Sequence, residues 1–521
     1  MSAPQGIDRH TFLKRTGALG AAVAAGGLGP VLDGGMQDIA HAASAVTPSR
    51  GGKITLAIVD QPVNMDAADG ELYSSIEVYD NIFSKLINVT KDFRFVPNLA
   101  TKWTQDDPYT WTLDLVDHAV FHNNELFTAN DVKFTFDRLP THADGIFFAA
   151  FKRTEVLGKH RVRFHLSHPF GPFEASLAAF SEIMNKKAVT SANPKLHPVG
   201  TGPFKLKSWV QNDHVTLARW DKYFKPNRPY LDEVTFRSIG DDTVRLTGLQ
   251  TSELNWIQQV PAQQATALLS SSQIKTSPGR PYFPYFILLN CTRPPFNDKR
   301  VRQAIAWCID REQFAKILWF GTSVTATEAV SSPDPWYSGV DPYKGAPDPE
   351  RAKALLKQAG RANLHITYLG QPNVVSQERT GEILKSQLAK AGITMDIQNY
   401  APAQYFEQFG AHKYDITSTY WSATLDPAHL YFPLCYSPSI WNFPGIRSAA
   451  INAALEKFVY TTDLKKRKAA YPEVVRTVAE EAPVIFLTNQ IQRYSMQPNV
   501  YGSEPLPSLE IRLEDMWLKR S

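Results

Sequence analysis

At 521 residues the chain exceeds what one ordinary hydrophobic core organises, so two or three domains are expected. Hydrophobic residues at 43% and charged residues at 20% fit a folded, water-soluble protein and exclude an intrinsically disordered one. The 55 basic and 51 acidic residues are scattered, without a block of five like charges, so the net +4 gives no nucleic-acid footprint.

The chain opens with an export segment. Arg9, Lys14 and Arg15 supply a positive start, a charge-free stretch rich in Ala and Gly runs from Thr16 to Leu32, and Ala40-His41-Ala42 offers a small-x-small cleavage site. Residues 8–14 read D-R-H-T-F-L-K, which resembles the twin-arginine export motif S-R-R-x-F-L-K with His10 in place of the second arginine. The twin-arginine and general secretory routes therefore both stay open. Gly17, Gly20, Gly26, Gly27 and Gly29 make the stretch too weakly apolar for an anchor, since a spanning helix needs roughly 20 mostly apolar residues. Residues 1–42 are thus read as a cleaved signal. Cys291, Cys308 and Cys435 all lie far from the cleavage site, so no cysteine is placed to carry a lipid, and the destination is the periplasm as a free protein. The odd count leaves at least one unpaired thiol. Cys308 falls on an apolar helical face, a Cys291–Cys435 bridge is left open, and the wide spacing shows no zinc pattern.

The mature chain, from about Ala43, begins Gly51-Gly52-Lys53-Ile54-Thr55-Leu56-Ala57-Ile58, and its alternating apolar residues predict a first strand. Ile76, Tyr79, Ile82, Phe83 and Leu86 recur at helical spacing within residues 71–86. Trp111 to Leu115 alternates as a half-buried strand, and Thr128 with Asp131 three residues on forms a helix-start signal. Pro198-Val199-Gly200-Thr201-Gly202-Pro203-Phe204 lacks the Gly-Lys-Ser/Thr ending of a phosphate cradle, and Pro203 removes an N–H such a loop would use, so a tight turn into a strand is expected. Pro294 to Ile305 predicts an extended entry, a cap at Asn297 or Asp298, and a helix with Val301, Ala304, Ile305 and Cys308 on one face; Asp310 starts another. Residues 352–360 and 381–392 read as helices ending in glycine, and 393–397 as a strand, so this half alternates helix and strand.

These segments, in this order, resemble the peptide and nickel family of extracytoplasmic solute-binding proteins, the capture subunits of ATP-driven importers. The N-I-F-S-K-L-I run from Asn81 matches the family's Y-x-x-L-x-x-L, and P-N-L-A-T-K-W from Pro97 matches P-x-L-A-x-x-W. W-T-L-D-L through F-H-N-N-E-L-F-T-A-N-D-V matches its W-T-F-x-L-R-x-G-V-x-F-H-D-G-x-P-x-T-A-x-D-V. The Pro198 turn matches P-V-G-T-G-P-Y, the Pro294 segment matches P-P-F-x-D-x-R-V-R-x-A, and Ala482-Pro483-Val484-Ile485-Phe486 matches A-P-x-I-P-L.

The resemblance implies an α/β, periplasmic-binding-protein-like fold of two lobes closing on a solute. Lobe I would take residues 43–86, 195–285 and 485–521, with 87–194 as its extra subdomain and 286–484 as lobe II. The chain would be a monomer delivering a short peptide or peptide-like solute to an inner-membrane ABC permease with its ATPase subunits. Ligand contacts implied by position are Glu71 and Tyr73 ahead of the early helix, and Trp421 and Asp426 in Tyr420-Trp421-Ser422-Ala423-Thr424-Leu425-Asp426-Pro427. Tyr285, Trp441 and Phe148 are further aromatic candidates, although a lone aromatic is more often core than ligand-facing. Arg293 or Arg447 would suit a carboxylate through paired donors. The chain departs from its relatives at one place: Ala423 and Thr424 stand where peptide binders carry the acid that pairs with an α-ammonium, and only Asp426 remains. Asp426 also precedes a proline and reads equally as turn punctuation.

Three rival readings exist: an enzyme, the same fold with other cargo, and a sensor or chaperone whose closed lobes dock on a membrane protein, which the sequence does not separate from transport. An enzyme finds no support, because Gly-x-Ser-x-Gly, His-Glu-x-x-His and Walker motifs are all absent and no cofactor motif is present. The same fold carrying a nickel chelate, haem, opine or oligosaccharide is the stronger rival, given the missing ammonium anchor. His429 and Met395 are isolated, so no metal site is expected.

Overall fold

The computed structural model describes residues 47–69, 73–372, 374–421 and 425–520; the signal read from residues 1–42 lies outside them. The strand expected after the glycine pair forms as Lys53–Ile58, with Ile54, Leu56 and Ile58 buried. It is the middle of a seven-stranded sheet, pairing parallel with Glu233–Ser238 on one side and Trp256–Gln258 on the other. Strands His214–Arg219 and Phe204–Val210 extend the sheet at one edge, and Tyr494–Met496 and Lys275–Thr276 extend it at the other.

A second, six-stranded sheet runs in the order Ser323–Thr325, Val484–Gln492, Arg280–Leu289, Ile416–Tyr420, His365–Gly370, Thr394–Asn399. Its last three strands are parallel, with helices Val375–Ala389 and Pro402–Gly410 as crossovers. A four-stranded antiparallel sheet, Ala100–Asp107, Thr110–Leu115, Arg161–Leu166 and Phe151–Gly158, stands apart and is backed by helix Ala129–Arg138. The fold is therefore mixed α/β, as the sequence implies.

Two connections join the first sheet to the second. Lys275–Thr276 pairs with Tyr494–Met496 in the first, and Arg280–Leu289 pairs with Val484–Gln492 in the second, so one antiparallel ribbon runs through both. The crossings fall at residues 277–279 and at Arg493. Gly279 has φ +78, and a Cβ there would meet the Gln492 carbonyl oxygen at 2.4 Å, so only glycine fits this crossing.

Local signals are realised closely. Thr128 accepts from the Asn130 N–H while Asp131 accepts from the Thr128 N–H at 2.9 Å, a capping box on helix Ala129–Arg138. Asp298 caps Lys299–Cys308, and Asp310 caps Arg311–Trp319. Gly200 and Gly202 serve close packing: a Cβ at either would lie 2.1 or 2.6 Å from the Ile82 carbonyl oxygen, which instead accepts from the Gly202 N–H at 2.8 Å. This joint locks the Pro198 turn to the segment that follows the early helix.

That helix is shorter than its spacing predicts, spanning Tyr73–Tyr79. The Asn81 amide folds back on the Glu77 carbonyl at 3.0 Å and reaches the Ile511 carbonyl at 2.9 Å, so the chain turns to meet the C-terminal segment. There Lys85 lies buried among Asp80, Glu510 and Glu182 at 2.8, 3.0 and 3.4 Å, tying three distant segments together.

Candidate functional site

Parallel strands end together, and in open α/β sheets the space beyond their carboxyl ends is where ligands bind. In the first sheet these ends are Ile58-Val59-Asp60, Ser238-Ile239-Gly240 and Gln258. The Val59 N–H donates to Gln258 Oε1 at 3.2 Å, and the Gln258 amide donates to the buried Glu77 carboxylate of the early helix. The Arg245 guanidinium is fully buried; it donates to the Ile239 and Gly240 carbonyls at 2.7 and 3.0 Å and to Asp242. Asp60 is half-buried beside this group, and among the described residues it accepts no hydrogen bond. Burial pushes its carboxyl up to about 7, with attraction to Arg245 only partly opposing the shift.

In the second sheet, strand Ile416–Tyr420 ends within electrostatic reach of this edge and is followed by Trp421. The Trp421 N–H donates to the Pro284 carbonyl at 3.1 Å, fixing the strand's exit. Burial raises the Tyr420 hydroxyl above its usual range, and the Asp60 and Glu77 carboxylates raise it further, so all three lie within electrostatic reach across the two sheets. None of Asp60, Glu77, Gln258 or Tyr420 was singled out from the sequence. The available signal was an acid just past the carboxyl end of the first strand.

Beyond Trp421 an aromatic wall continues. Its ring meets Trp441 edge-on at 5.6 Å, and Trp441 meets Phe147 at 6.0 Å. Phe147 stacks on Phe180 at 3.9 Å, and the His429 ring stands against both. Phe147 and Phe180 belong to the 87–194 segment, whereas Trp421, His429 and Trp441 belong to the 286–484 segment, so the wall spans a contact between the two. His429 Nε2 meets Ser176 Oγ at 3.0 Å across that contact. Burial holds the His429 imidazole down to about 4, keeping it neutral.

The other expected contacts fall elsewhere. Asp426 and Arg467 are each 2% exposed and form a two-pronged pair at 2.7 and 2.9 Å, while Asp426 also accepts from the Ala428 N–H at 2.9 Å. Both of its oxygens are thereby engaged, and the turn reading describes it better than the anchor reading. Tyr285 is buried, with its hydroxyl shared among the Ser376 carbonyl, Thr380 and Ser418 at 3.1, 2.9 and 2.8 Å, so it packs the sheet on helix Val375–Ala389. Phe148 packs inside the antiparallel subdomain against Phe136 and Phe173.

Arg293 bonds Asp415 at 3.1 Å, at the far end of strand Ile416–Tyr420, and Arg447 lines a surface cavity of about 560 Å³ with Cys291 and His412. Tyr73 opens the early helix, and Glu71 lies outside the described residues. The three cysteines are free thiols. Among the described residues no cluster of three His, Cys, Asp or Glu could hold a metal, and no helix is long and apolar enough to cross a membrane.

Comparison with known proteins bears on this arrangement. The family model for bacterial extracellular solute-binding proteins, family 5, matches residues 94–443. The glutathione-binding protein GsiB of Pectobacterium atrosepticum is 25% identical over 496 residues, covering 89% of this chain and 96% of that one. The Escherichia coli K12 protein of the same name is 26% identical over 482 residues, covering 89% and 94%. Among solved structures, DppA of Helicobacter pylori in complex with the peptide STSA superposes with a TM-score of 0.80 at 23% identity, over 91% of this chain and 99% of that one. NikZ of Campylobacter jejuni in complex with Ni(L-His) gives 0.76 at 20% identity, over 86% and 95%. These structural likenesses bear on the fold, whose neighbours are two-lobed binding proteins.

Proposed function

This chain belongs to the bacterial extracellular solute-binding proteins of family 5, and on that premise we propose that it captures a peptide-like solute between two lobes and delivers it to an inner-membrane ABC permease. The observation that carries the reading is two sheets joined by a single two-stranded ribbon, with Tyr420 of the second within electrostatic reach of Asp60 at a carboxyl strand end of the first. Solute bridging the zone would favour the closed arrangement, because contacts to both lobes exist only there. The closed shape is then what the permease reads. The family is one of transport components rather than catalysts, and the chain is read as a periplasmic monomer whose first 42 residues are removed on export.

We take the two lobes as residues 43–276 without the subdomain, plus 494–521, and residues 280–492, with 87–194 as the subdomain. These proposed boundaries follow the ribbon and differ by a few residues from those the resemblance implies. Trp421 and Trp441 are proposed as the apolar wall of the cleft. A peptide-like cargo draws support from relatives named for glutathione and for a bound peptide.

A non-peptide solute is the second reading. It is favoured by the pairing of Asp426 with Arg467, which leaves the 425–427 turn without a free acid for an α-ammonium. Calorimetry of the mature protein against di- to pentapeptides, glutathione, opines and nickel–histidine decides between them. Binding of peptides alone supports the first reading. Binding of an opine or chelate with no peptide affinity overturns it in favour of the second.

A further inference from the structure

Several buried acids of this chain hold cations. Asp66 holds Arg138 through two bonds of 2.6 and 2.5 Å; Asp69 holds His142 and Lys195; Asp426 holds Arg467; Glu510 holds Lys85. Half-buried Asp60 has no such partner among the described residues. The cation whose charge it feels, Arg245, directs its N–H groups to the Ile239 and Gly240 carbonyls and to Asp242 instead. A carboxylate withdrawn from water without a donor is unfavourable unless some later arrival supplies one. Asp60 stands past the carboxyl end of the first strand, where such sheets take ligands, and its charge reaches Tyr420 of the other lobe.

We propose that Asp60 is the cation-binding group of the cleft, accepting charge-assisted hydrogen bonds from an ammonium on the solute. The inference rests on the reading of the chain as a solute carrier. It deepens that reading by naming an amine-bearing solute and by placing the amine against lobe I. The resemblance puts the acid of peptide binders in the 421–427 loop of lobe II. Here that loop's remaining acid is paired, and Asp60 would perform the same recognition from the opposite wall. Tyr420 would then supply its hydroxyl oxygen from lobe II, so that a single ammonium touches both lobes and links recognition to closure. The solute's apolar body would rest against Trp421.

The test compares wild type with Asp60→Asn, using trialanine and N-acetyl-trialanine as probes in calorimetry. Wild type is expected to prefer the free amine, and Asp60→Asn to lose about 100-fold in affinity for it while binding the acetylated peptide unchanged. A second readout separates recognition from architecture. Without ligand, Asp60→Asn should melt at or above the wild-type temperature, because the change removes an uncompensated charge. A melting temperature several degrees lower would make Asp60 a structural brace and overturn the proposal. So would an intact amine preference in the variant, which leaves the carrier reading standing. If wild type binds neither peptide, the peptide reading fails by itself. Putrescine, spermidine and arginine then take the place of the peptides, and absence of any Asp60-dependent stabilisation by them overturns the proposal too.

Discussion

Replacing Arg467 with methionine tests whether Asp426 is a brace or a ligand contact. The substitution removes two bonds to Asp426, at 2.7 and 2.9 Å, and one to the Phe458 carbonyl at 3.1 Å, and takes a guanidinium from over the Trp336 and Phe458 rings. Asp426 would be left 2% exposed with one backbone donor, from Ala428. Stranding one member of a buried pair costs about 3–5 kcal/mol. An unfolding entropy of about 2.1 cal/mol/K per residue gives a lobe of roughly 200 residues about 0.4 kcal/mol/K, so Tm falls by about 7–12 °C if lobe II melts as its own unit.

Differential scanning calorimetry reads this directly, and solute affinity measured well below the transition should be unchanged. Asp426→Asn should fall comparably. The double variant Asp426→Leu/Arg467→Met should recover most of the loss, because no charge is then stranded. A single variant that melts within about 1 °C of wild type, or Asp426→Asn that loses solute while keeping its Tm, would refute the reasoning.

Three other perturbations follow from the same geometry. Gly279→Val forces a Cβ to within 2.4 Å of the Gln492 carbonyl at φ +78, so the ribbon must shift; small-angle scattering should show an altered ligand-dependent closure, and an unchanged closure would contradict the crossing's role. His429 is held neutral with a pKa of about 4 against 6.5 when unfolded, and the charges acting on it are Asp426 and Arg467. Its contribution is complete above about pH 6.5 and is lost as pH falls toward 4, up to about 3 kcal/mol; His429→Asn should flatten that part of the denaturation-versus-pH curve, and an unchanged curve would exclude His429 as its source. Lys85→Met leaves Asp80, Glu182 and Glu510 buried without their shared cation, so a loss of about 3–5 kcal/mol or more is expected in urea unfolding, and a loss below about 1 kcal/mol would contradict the network.

What could be read from the sequence was mostly local. Thr128 with Asp131, and Asp298 and Asp310 before their helices, announce caps within four residues, and the structure builds each one. Strand Lys53–Ile58 follows from alternation alone. Pairings across the fold left no such trace. Asp426 meets Arg467 from 41 positions away, and nothing near either residue signals the other. Tyr285 shows the same limit: an aromatic on a strand has two faces to choose from, and only the packing of helix Val375–Ala389 decides that its hydroxyl turns inward.

The early helix stops at Tyr79 because Asn81 bonds the Ile511 carbonyl, 430 positions on. The candidate site is the least legible part for the same reason. Asp60 and Gln258 share an edge only because strands Lys53–Ile58 and Trp256–Gln258 pair across about 200 positions, and Tyr420 comes within electrostatic reach from the second sheet. Motif resemblance identified the family through segments that mostly build the scaffold, such as the Gly200–Gly202 joint against Ile82.

The measurement closest to the central claim is native mass spectrometry of the mature protein purified without refolding, followed by denaturation and identification of what is released. One small amine-bearing solute per chain is expected, freed on unfolding and raising Tm when returned to the empty protein. A bare polypeptide mass that stays bare after incubation with peptides, opines, polyamines and nickel–histidine would contradict the account.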